Sequence, residues 1–482
     1  MRSFSSSLSR LALLGTVVVA SACQHEIHLA GTGAGNHTGS GTGGTGAGTG
    51  EDGGGGIPEV ILPVDGGSGD AGPVVKMACQ DNTTYQPEHS PGYSAADHTM
   101  YNNMAAQTLS SMSLTDKADQ MRGVYSGSSG PQYSDIERTY DTPGGVRGIQ
   151  FRDGPRGVNF VQATVAPSTD PNPAQVGNTE YSHNVSTVFP TPVARGATFD
   201  VDLEYRLGEA MGDEALSANQ TMLLVPCVNI LRHPFWGRSQ ETYGEDDYLL
   251  GRMGTGMAVG VQQYIMACAK HFAGNNIEDN RAGLDSEMDT QTLREVYGRH
   301  FDMIINDGGV ACIMAAYNAV NGTKSTQNGD LLTTMLRNEF GFQGLVLSDW
   351  WAMPGGQIYN LDTSSRQSNT GGALVAGLDL EDPWSLNYFV LDSSPTITDQ
   401  DLNPHALRIL EQKFRFNVES TSQIPGGLRT PTSVWNTANG GISNNDAHIA
   451  VAQEVAEEAM VLLKNCPASN PGCTGCRTRP AS

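Results

Sequence analysis

Apolar residues in this chain fall into two kinds of segment. Gly148 to Arg152, Met222 to Val225, Tyr264 to Ala269, Val310 to Ala315 and Gly344 to Ser348 are short, largely apolar runs. Such runs predict strands buried on both faces, and Ala373 to Leu378 reads as a further one. Between them, Val201 to Ala218, Tyr248 to Tyr264, Thr290 to Asn306 and Leu331 to Phe340 are long enough for helices and carry their apolar residues on one side of a helical period. Strands recurring about every 30 to 50 residues, with helices between, predict a parallel sheet covered by helices. A closed barrel and a doubly wound sheet satisfy this pattern equally. No glycine-rich phosphate loop follows the first strand, which weighs against a nucleotide-binding version.

The two ends of the chain break the alternation. Arg2 and Arg10 accompany Leu11 to Ala20, an apolar run too short for a stable membrane span, so residues 1–22 read as an export signal. Ala20-Ser21-Ala22-Cys23 resembles a lipoprotein cleavage site with Cys23 as the lipidated residue, and Ala20-Ser21-Ala22 also fits simple secretion. The expected location is the periplasm or cell surface, with membrane attachment through Cys23. Gly31 to Gly56 is almost wholly Gly, Thr, Ala, Ser and Asn, too poor in apolar surface to offset chain entropy, and residues 23–94 read as a flexible tether. The folded part is expected over 95–425. Residues 426–482 read as a linker and the start of a second α/β unit, whose apolar strand Met460 to Leu463 is expected to pack opportunistically or expose an edge.

Composition and charge narrow the partners. The chain has 482 residues, of which 58 are glycine and 38% are hydrophobic, with the glycine excess concentrated in the tether. A net charge of −23 repels phosphates and anionic bilayers, so neither nucleic acid nor a lipid surface is expected as a general partner. A neutral sugar meets no such barrier. Cys227, Cys268 and Cys312 lie in apolar runs and are expected to be buried small hydrophobes. Cys473 and Cys476, with only Cys466 nearby, lack a fourth zinc ligand. No metal or cofactor is expected.

Chemistry-bearing residues recur just past the predicted strands: Asp153, then Lys270-His271, then Tyr317-Asn318, then Asp349-Trp350. In a barrel of parallel strands these C-terminal ends converge on one mouth. An Asp beside a Trp at such an end suits carbohydrate chemistry, because the carboxylate can attack or stabilise an oxocarbenium-like centre while the indole packs on the sugar's C–H face. A single Asp after a strand is more often a helix cap, so the weight rests on several strand ends agreeing.

The segments "FRDGPRGV" (Phe151–Val158), "WGRSQETYGEDDYL" (Trp236–Leu249), "AKHFAGNNIEDNR" (Ala269–Arg281), "MAAYNAVNG" (Met314–Gly322) and "GFQGLVLSDWWA" (Gly341–Ala352) resemble glycoside hydrolase family 3, in the family's order. "AGLDLEDP" (Ala376–Pro383) extends the resemblance, and "AQEVAEEAMVLLKN" (Ala452–Asn465) is similar to the opening of the family's second domain. The resemblance implies a (β/α)8-type TIM barrel followed by the start of a truncated α/β sandwich domain. It implies retaining hydrolysis of a terminal β-linked sugar, from an oligosaccharide or an aryl or alkyl β-glycoside, with Asp349 as nucleophile. Asp153, Arg238, Lys270 and His271 match residues that hydrogen-bond the sugar hydroxyls, Tyr317 a residue beside the nucleophile, and Trp350 a wall of the subsite. Glu245 matches an acid that holds the Lys or Arg in place. Glu278 and Asp279 read as solvated loop charges.

Two departures matter. Retaining hydrolysis needs a second carboxyl group about 5 to 5.5 Å from the first to protonate the leaving oxygen. In two-domain relatives it lies in the second domain, beyond Ser482 here. In single-domain relatives it is a His–Asp pair on the loop after "KH", where this chain has Asn275 and Asn276. The acid/base is therefore unassigned. The expectation is a β-glucosidase-like hydrolase impaired by loss of the second domain. The alternative from another class is a non-catalytic sugar-binding lipoprotein, and a lyase or aldolase forming a Schiff base at Lys270 is the poorest fit.

Overall fold

The computed structural model describes residues 93–124, 138–142, 146–159, 186–355, 363–383, 386–418, 429, 431–436 and 441–462. The expected export signal, the tether up to residue 92, Cys23 and the cysteines after Leu462 lie outside the described residues.

Five parallel strands form the core sheet: β1 (Phe151–Asp153), β2 (Met222–Leu224), β3 (Met266–Phe272), β4 (Cys312–Ala315) and β5 (Leu345–Ser348). Their register runs Phe151 on Met222, Met222 on Met266, Cys268 on Cys312 and Cys312 on Leu345. Isolated bridges carry the sheet round into a ring. Leu347 pairs with Leu380 and Glu381 with Arg122, both parallel; Gly123 pairs with Thr139 and Arg138 with Gln150, both antiparallel. Gln150 adjoins β1, so five strands and three bridged segments close a barrel. The barrel expectation holds, with one member running against the rest. Closure leaves no sheet edge, and the strands β2 to β5 are buried along their whole length, as their continuous apolar sequence requires.

The last member of the ring is pinned by a buried carboxylate. Asp379 accepts from Val346 N–H at 2.7 Å, from Arg337 at 2.7 Å and from Arg408 at 2.6 Å, with His405 Nδ1 at 2.8 Å. Burial opposes its charge, but Arg408, Arg337 and His405 hold its carboxyl well below the usual range. A charge this deep is tolerable only because every face of it is paired.

The helices Val201–Ser217 and Asp247–Val261 cover neighbouring strands and start at Asp caps, Asp200 accepting from Leu203 N–H and Asp246 from Leu249 N–H. They touch backbone to backbone. A Cβ on Gly260 would lie 2.2 Å from Tyr205 O, and one on Gly208 would lie 2.7 Å from Met257 O. The last described helix, Asp446–Glu458, lies against the same layer through Arg206–Glu454 (2.7 Å) and His448–Glu214 (2.9 Å). Past its end Met460, Val461 and Leu462 are exposed and form no strand.

Four expectations need correction. Ala373 to Leu378 is the end of a helix, Arg366–Ala376, closed by Gly377 at φ +104°, and pairing begins only at Leu380. Thr290 to Asn306 is two helices, Thr290–Glu295 and Arg299–Asn306, parted near Gly298, where an added Cβ would meet the Met335 terminal methyl at 2.1 Å. Asp330–Glu339 is wound as a π-helix. Cys268 and Cys312 are not separate buried thiols: they are register partners on adjacent strands and are joined by a disulfide.

The glycine contacts give a test. Gly260→Ala is expected to cost on the order of 3 kcal/mol by forcing the two helices apart. Gly371→Ala, in the Arg366–Ala376 helix with nothing within 4 Å of the added carbon, should instead gain about 0.5–1 kcal/mol. Urea unfolding with an unchanged m-value would read both; equal effects would show that the close approach does not matter.

Candidate active site

Each strand delivers its residues at its C-terminal end. Asp153 ends β1, Lys270 and His271 lie near the end of β3, and Asp349-Trp350 follow β5. Tyr317 follows β4 by two residues, and Arg238 stands on the long connection after β2, just before the turn Ser239–Glu241. The structure brings seven expected residues to one place: Asp153, Arg238, Lys270, His271, Tyr317, Asp349 and Trp350.

Asp349 is the centre. It is 6% exposed. Its Oδ1 accepts from the Trp350 N–H at 2.7 Å, whereas Oδ2 is buried without a hydrogen bond of ordinary geometry, 3.5 Å from His271 Nε2. Burial pushes its carboxyl above the ordinary range, opposed by the charges of Arg238, Arg281 and Lys270 and by the Trp350 N–H. The Tyr317 hydroxyl stays protonated at any ordinary pH, since burial and then the adjacent Asp349 charge push it well up, against Arg281.

Each surrounding cation has its own carboxylate. Lys270 Nζ donates to Asp153 Oδ1; the ammonium is buried while Asp153 is half-exposed at the rim. Removal from water works against the Asp153 carboxylate, but the Lys270 charge and hydrogen bond, with Arg238, hold it below its ordinary range. Arg238 grips Glu241 through Nε at 3.0 Å and a terminal nitrogen at 2.6 Å, and points its other terminal nitrogen at His271 Nε2, 2.8 Å away. Arg281 donates to Glu278 at 2.6 Å and stacks over the Tyr317 ring at 4.0 Å. Trp350 meets Phe151 edge to face at 6.3 Å and walls one side. Five donors on each guanidinium and three on the ammonium, interleaved with acceptors, suit a ring bearing several hydroxyls.

The acid that orients Arg238 is Glu241, not Glu245. Glu241 lies three residues on across a tight turn and reaches back, whereas Glu245 is exposed and lines a separate surface cleft of about 650 Å³ with Arg294 and Arg299. Glu278 is likewise no solvated loop charge: it accepts from Arg281 and from Trp236 Nε1 at 3.3 Å. Sequence reasoning missed Arg281, Glu241 and Asn229, the last of which holds His271. The i,i+3 acid–base spacing of Arg238/Glu241 and Glu278/Arg281 is the signal that could have found two of the pairs.

A barrel with a dry carboxylate and a ring of paired cations at its C-terminal mouth has the layout of a sugar-processing site. Residues 173–392 match the family model for the glycosyl hydrolase family 3 N terminal domain, and the chain belongs to that family through this domain. It is 32% identical over 332 residues to an exo-alpha-(1->6)-L-arabinopyranosidase of Bifidobacterium breve, covering 68% of this chain and 39% of that one. It is 32% identical over 365 residues to thermostable beta-glucosidase B of Acetivibrio thermocellus, covering 74% and 42%. Among solved structures it is similar to beta-glucosidase 3B of Thermotoga neapolitana in complex with glucose (TM-score 0.59, 26% identity, 75% of this chain and 47% of that one). Beta-glucosidase D2-BGL of Chaetomella raphigera is comparable (TM-score 0.60, 30% identity, 78% and 48%). The chain thus spans 39% to 48% of the length of these relatives.

Because Arg281 is one of three cations opposing desolvation of Asp349, Arg281→Gln should move the Asp349 carboxyl to a still higher titration. A carboxyl-carbon NMR titration of aspartate-labelled protein, with Asp349→Asn identifying the signal, reads this directly. An unchanged or lower midpoint would remove Arg281 from the site's electrostatics.

Proposed function

We propose that this chain is an exported, retaining, exo-acting β-glycosidase of β-glucosidase type, working through a glycosyl–Asp349 intermediate. The observation that carries the reading is the state of Asp349. One oxygen is fixed by a backbone N–H and the other is buried, unpaired and faced by positive charge. A carboxylate stripped of water on its attacking oxygen is a better nucleophile than a solvated one.

In the first step Asp349 Oδ2 forms a bond to the anomeric carbon as the bond to the leaving oxygen breaks, its electron pair departing with that oxygen. In the second, water attacks the same carbon, the Asp349–sugar bond breaks with its electron pair restoring the carboxylate, and the proton the water loses passes through solvent to the departed oxygen. Asp153, Lys270, Arg238 and His271 line the side where the sugar's hydroxyls would be read. Trp350 offers its face to the ring's C–H surface, and the Tyr317 hydroxyl steadies the carboxylate between steps. The names of the curated relatives and solved neighbours support a neutral glycoside as substrate class. Export and lipid attachment at Cys23 rest on the N-terminal pattern, and the Cys268–Cys312 disulfide fits an oxidising compartment.

The test uses 2,4-dinitrophenyl 2-deoxy-2-fluoro-β-glucoside, whose leaving group departs without acid assistance, so that only the nucleophile is asked to act. Mass spectrometry should find a glycosyl adduct on the Asp349 peptide, absent in Asp349→Asn. No adduct on folded protein would end the nucleophile assignment. Since Asp349 must be ionised and its carboxyl is raised, the acid limb of adduct formation should lie above the ordinary aspartate range.

A further inference from the structure

Asn229 belongs to none of the motifs that carry the family resemblance, yet its amide makes three contacts with one residue of the site. Its Nδ2 donates to the His271 carbonyl oxygen at 2.8 Å. Its Oδ1 accepts from the His271 backbone N–H at 3.0 Å and lies 2.9 Å from His271 Nδ1. The two backbone contacts admit one orientation of the amide, because a carbonyl can only accept and an N–H can only donate. Oδ1 therefore faces Nδ1, and an amide oxygen can only accept, so the proton of the imidazole is on Nδ1. The far side of the ring agrees independently. Arg238, which has donors only, points at Nε2 at 2.8 Å, so Nε2 is a bare lone pair.

We propose that Asn229 is a positioning residue that locks His271 in the Nδ1–H tautomer, so that Nε2 captures Arg238 and never donates to the nucleophile. The reverse tautomer would turn an N–H toward Asp349 Oδ2, 3.5 Å away, and present a donor to a donor at Arg238. Either consequence disables the site: the attacking oxygen gains a hydrogen bond and Arg238 loses its anchor on the ring. The groups facing His271 are Cys227, whose sulfur lies 3.9 Å from Nδ1, together with Arg238, Lys270, Arg281 and Asp349. Burial, then Arg238, Lys270 and Arg281, push its imidazole well below the ordinary range, and burial raises the Cys227 thiol to about 11, so both stay neutral through the working range. Asn229 is itself tied to the Arg238 segment, since Thr242 Oγ1 donates to the Asn229 carbonyl oxygen at 2.6 Å, one residue past Glu241.

This inference rests on the nucleophile reading for its catalytic consequence, but not for the tautomer. The test therefore has two arms on the full chain. The first is nitrogen NMR of histidine-labelled protein, with His271→Gln identifying the signal. The expected result is a protonated Nδ1 and a bare Nε2, changing to a tautomer mixture in Asn229→Ala and to imidazolium in Asn229→Asp. A protonated Nε2 in the wild type, or an unaltered His271 signal in both variants, would overturn the proposal whatever the fate of Asp349. The second arm is the rate of adduct formation from the dinitrophenyl fluoroglucoside across pH. Asn229→Ala should slow it roughly tenfold or more, by analogy with hydrogen-bond partners behind metal-bound histidines. In Asn229→Asp the added carboxylate raises the imidazole's titration, and below that point Nε2–H occupies Asp349 Oδ2, so the acid limb should move to higher pH. Adduct formation with wild-type rate and limb in both variants would also overturn it. A wild type that forms no adduct would overturn the nucleophile reading alone, leaving the NMR arm to decide the tautomer.

Discussion

A carboxylate that must be dry and charged at once sets the terms for everything at the mouth of this barrel. Desolvation favours the neutral acid, and Asp349 is raised despite three cations around it. The reason lies one layer out. Lys270 is spent on Asp153, Arg238 on Glu241 and Arg281 on Glu278, so the field at Asp349 is that of three ion pairs rather than three free cations. The pairs hold donors in fixed directions while cancelling much of their own charge. The result is a carboxylate whose charge is supported but not fully compensated, and which is not locked into a salt bridge.

The barrel explains how such a cluster can be assembled at all. Parallel strands bring their C-terminal ends to one rim, so residues from 153 to 349 meet although they are nearly two hundred positions apart. The ring closes through bridges of one or two residues near 122, 138 and 380, and one of those segments runs antiparallel. Because all five delivering strands are parallel, the reversed segment does not disturb the rim that carries the chemistry. Asp379 secures the last turn of the ring, holding the start of β5 to the segment that follows it. The position of Asp349, four residues further on from Leu345, depends on that anchor.

Much of this was legible in the sequence. The five strands fall on the expected runs with ends shifted by up to three residues, and β2 to β5 are mostly apolar because they are buried on both faces. Asp153, Lys270, His271, Tyr317, Asp349 and Trp350 were named from their places past the strands and Arg238 from the resemblance, and these seven do meet. What stayed hidden depends on neighbours that no local pattern encodes. Ala373 to Leu378 reads as a strand because five apolar residues in six suit either state, and only Gly377 marks the helix end. The Cys268–Cys312 pairing follows from the register of β3 on β4, which the sequence does not state. Glu245 was named by resemblance, whereas a tight turn decides that the nearer acid, Glu241, folds back on Arg238. Asn229 carries no charge and sits in an apolar run, so nothing in its surroundings suggests that three bonds to His271 depend on it.

The same balance of charge bears on what the site can hold. The chain as a whole is strongly anionic, yet the mouth is lined by guanidinium and ammonium groups. Each of those groups already has a carboxylate partner, so an acidic sugar would find its countercharges occupied and Asp349 repelling it at the reacting carbon. A neutral ring asks for something different: directed donors and acceptors, an apolar wall and little net field. Lys270 and Arg238 supply donors, Asp153 a half-exposed acceptor at the rim, and Trp350 the wall, while His271 holds Arg238 in place. On the proposed reading, a preference for an uncharged polyol and the reactivity of Asp349 would rest on the same three ion pairs, Lys270–Asp153, Arg238–Glu241 and Arg281–Glu278.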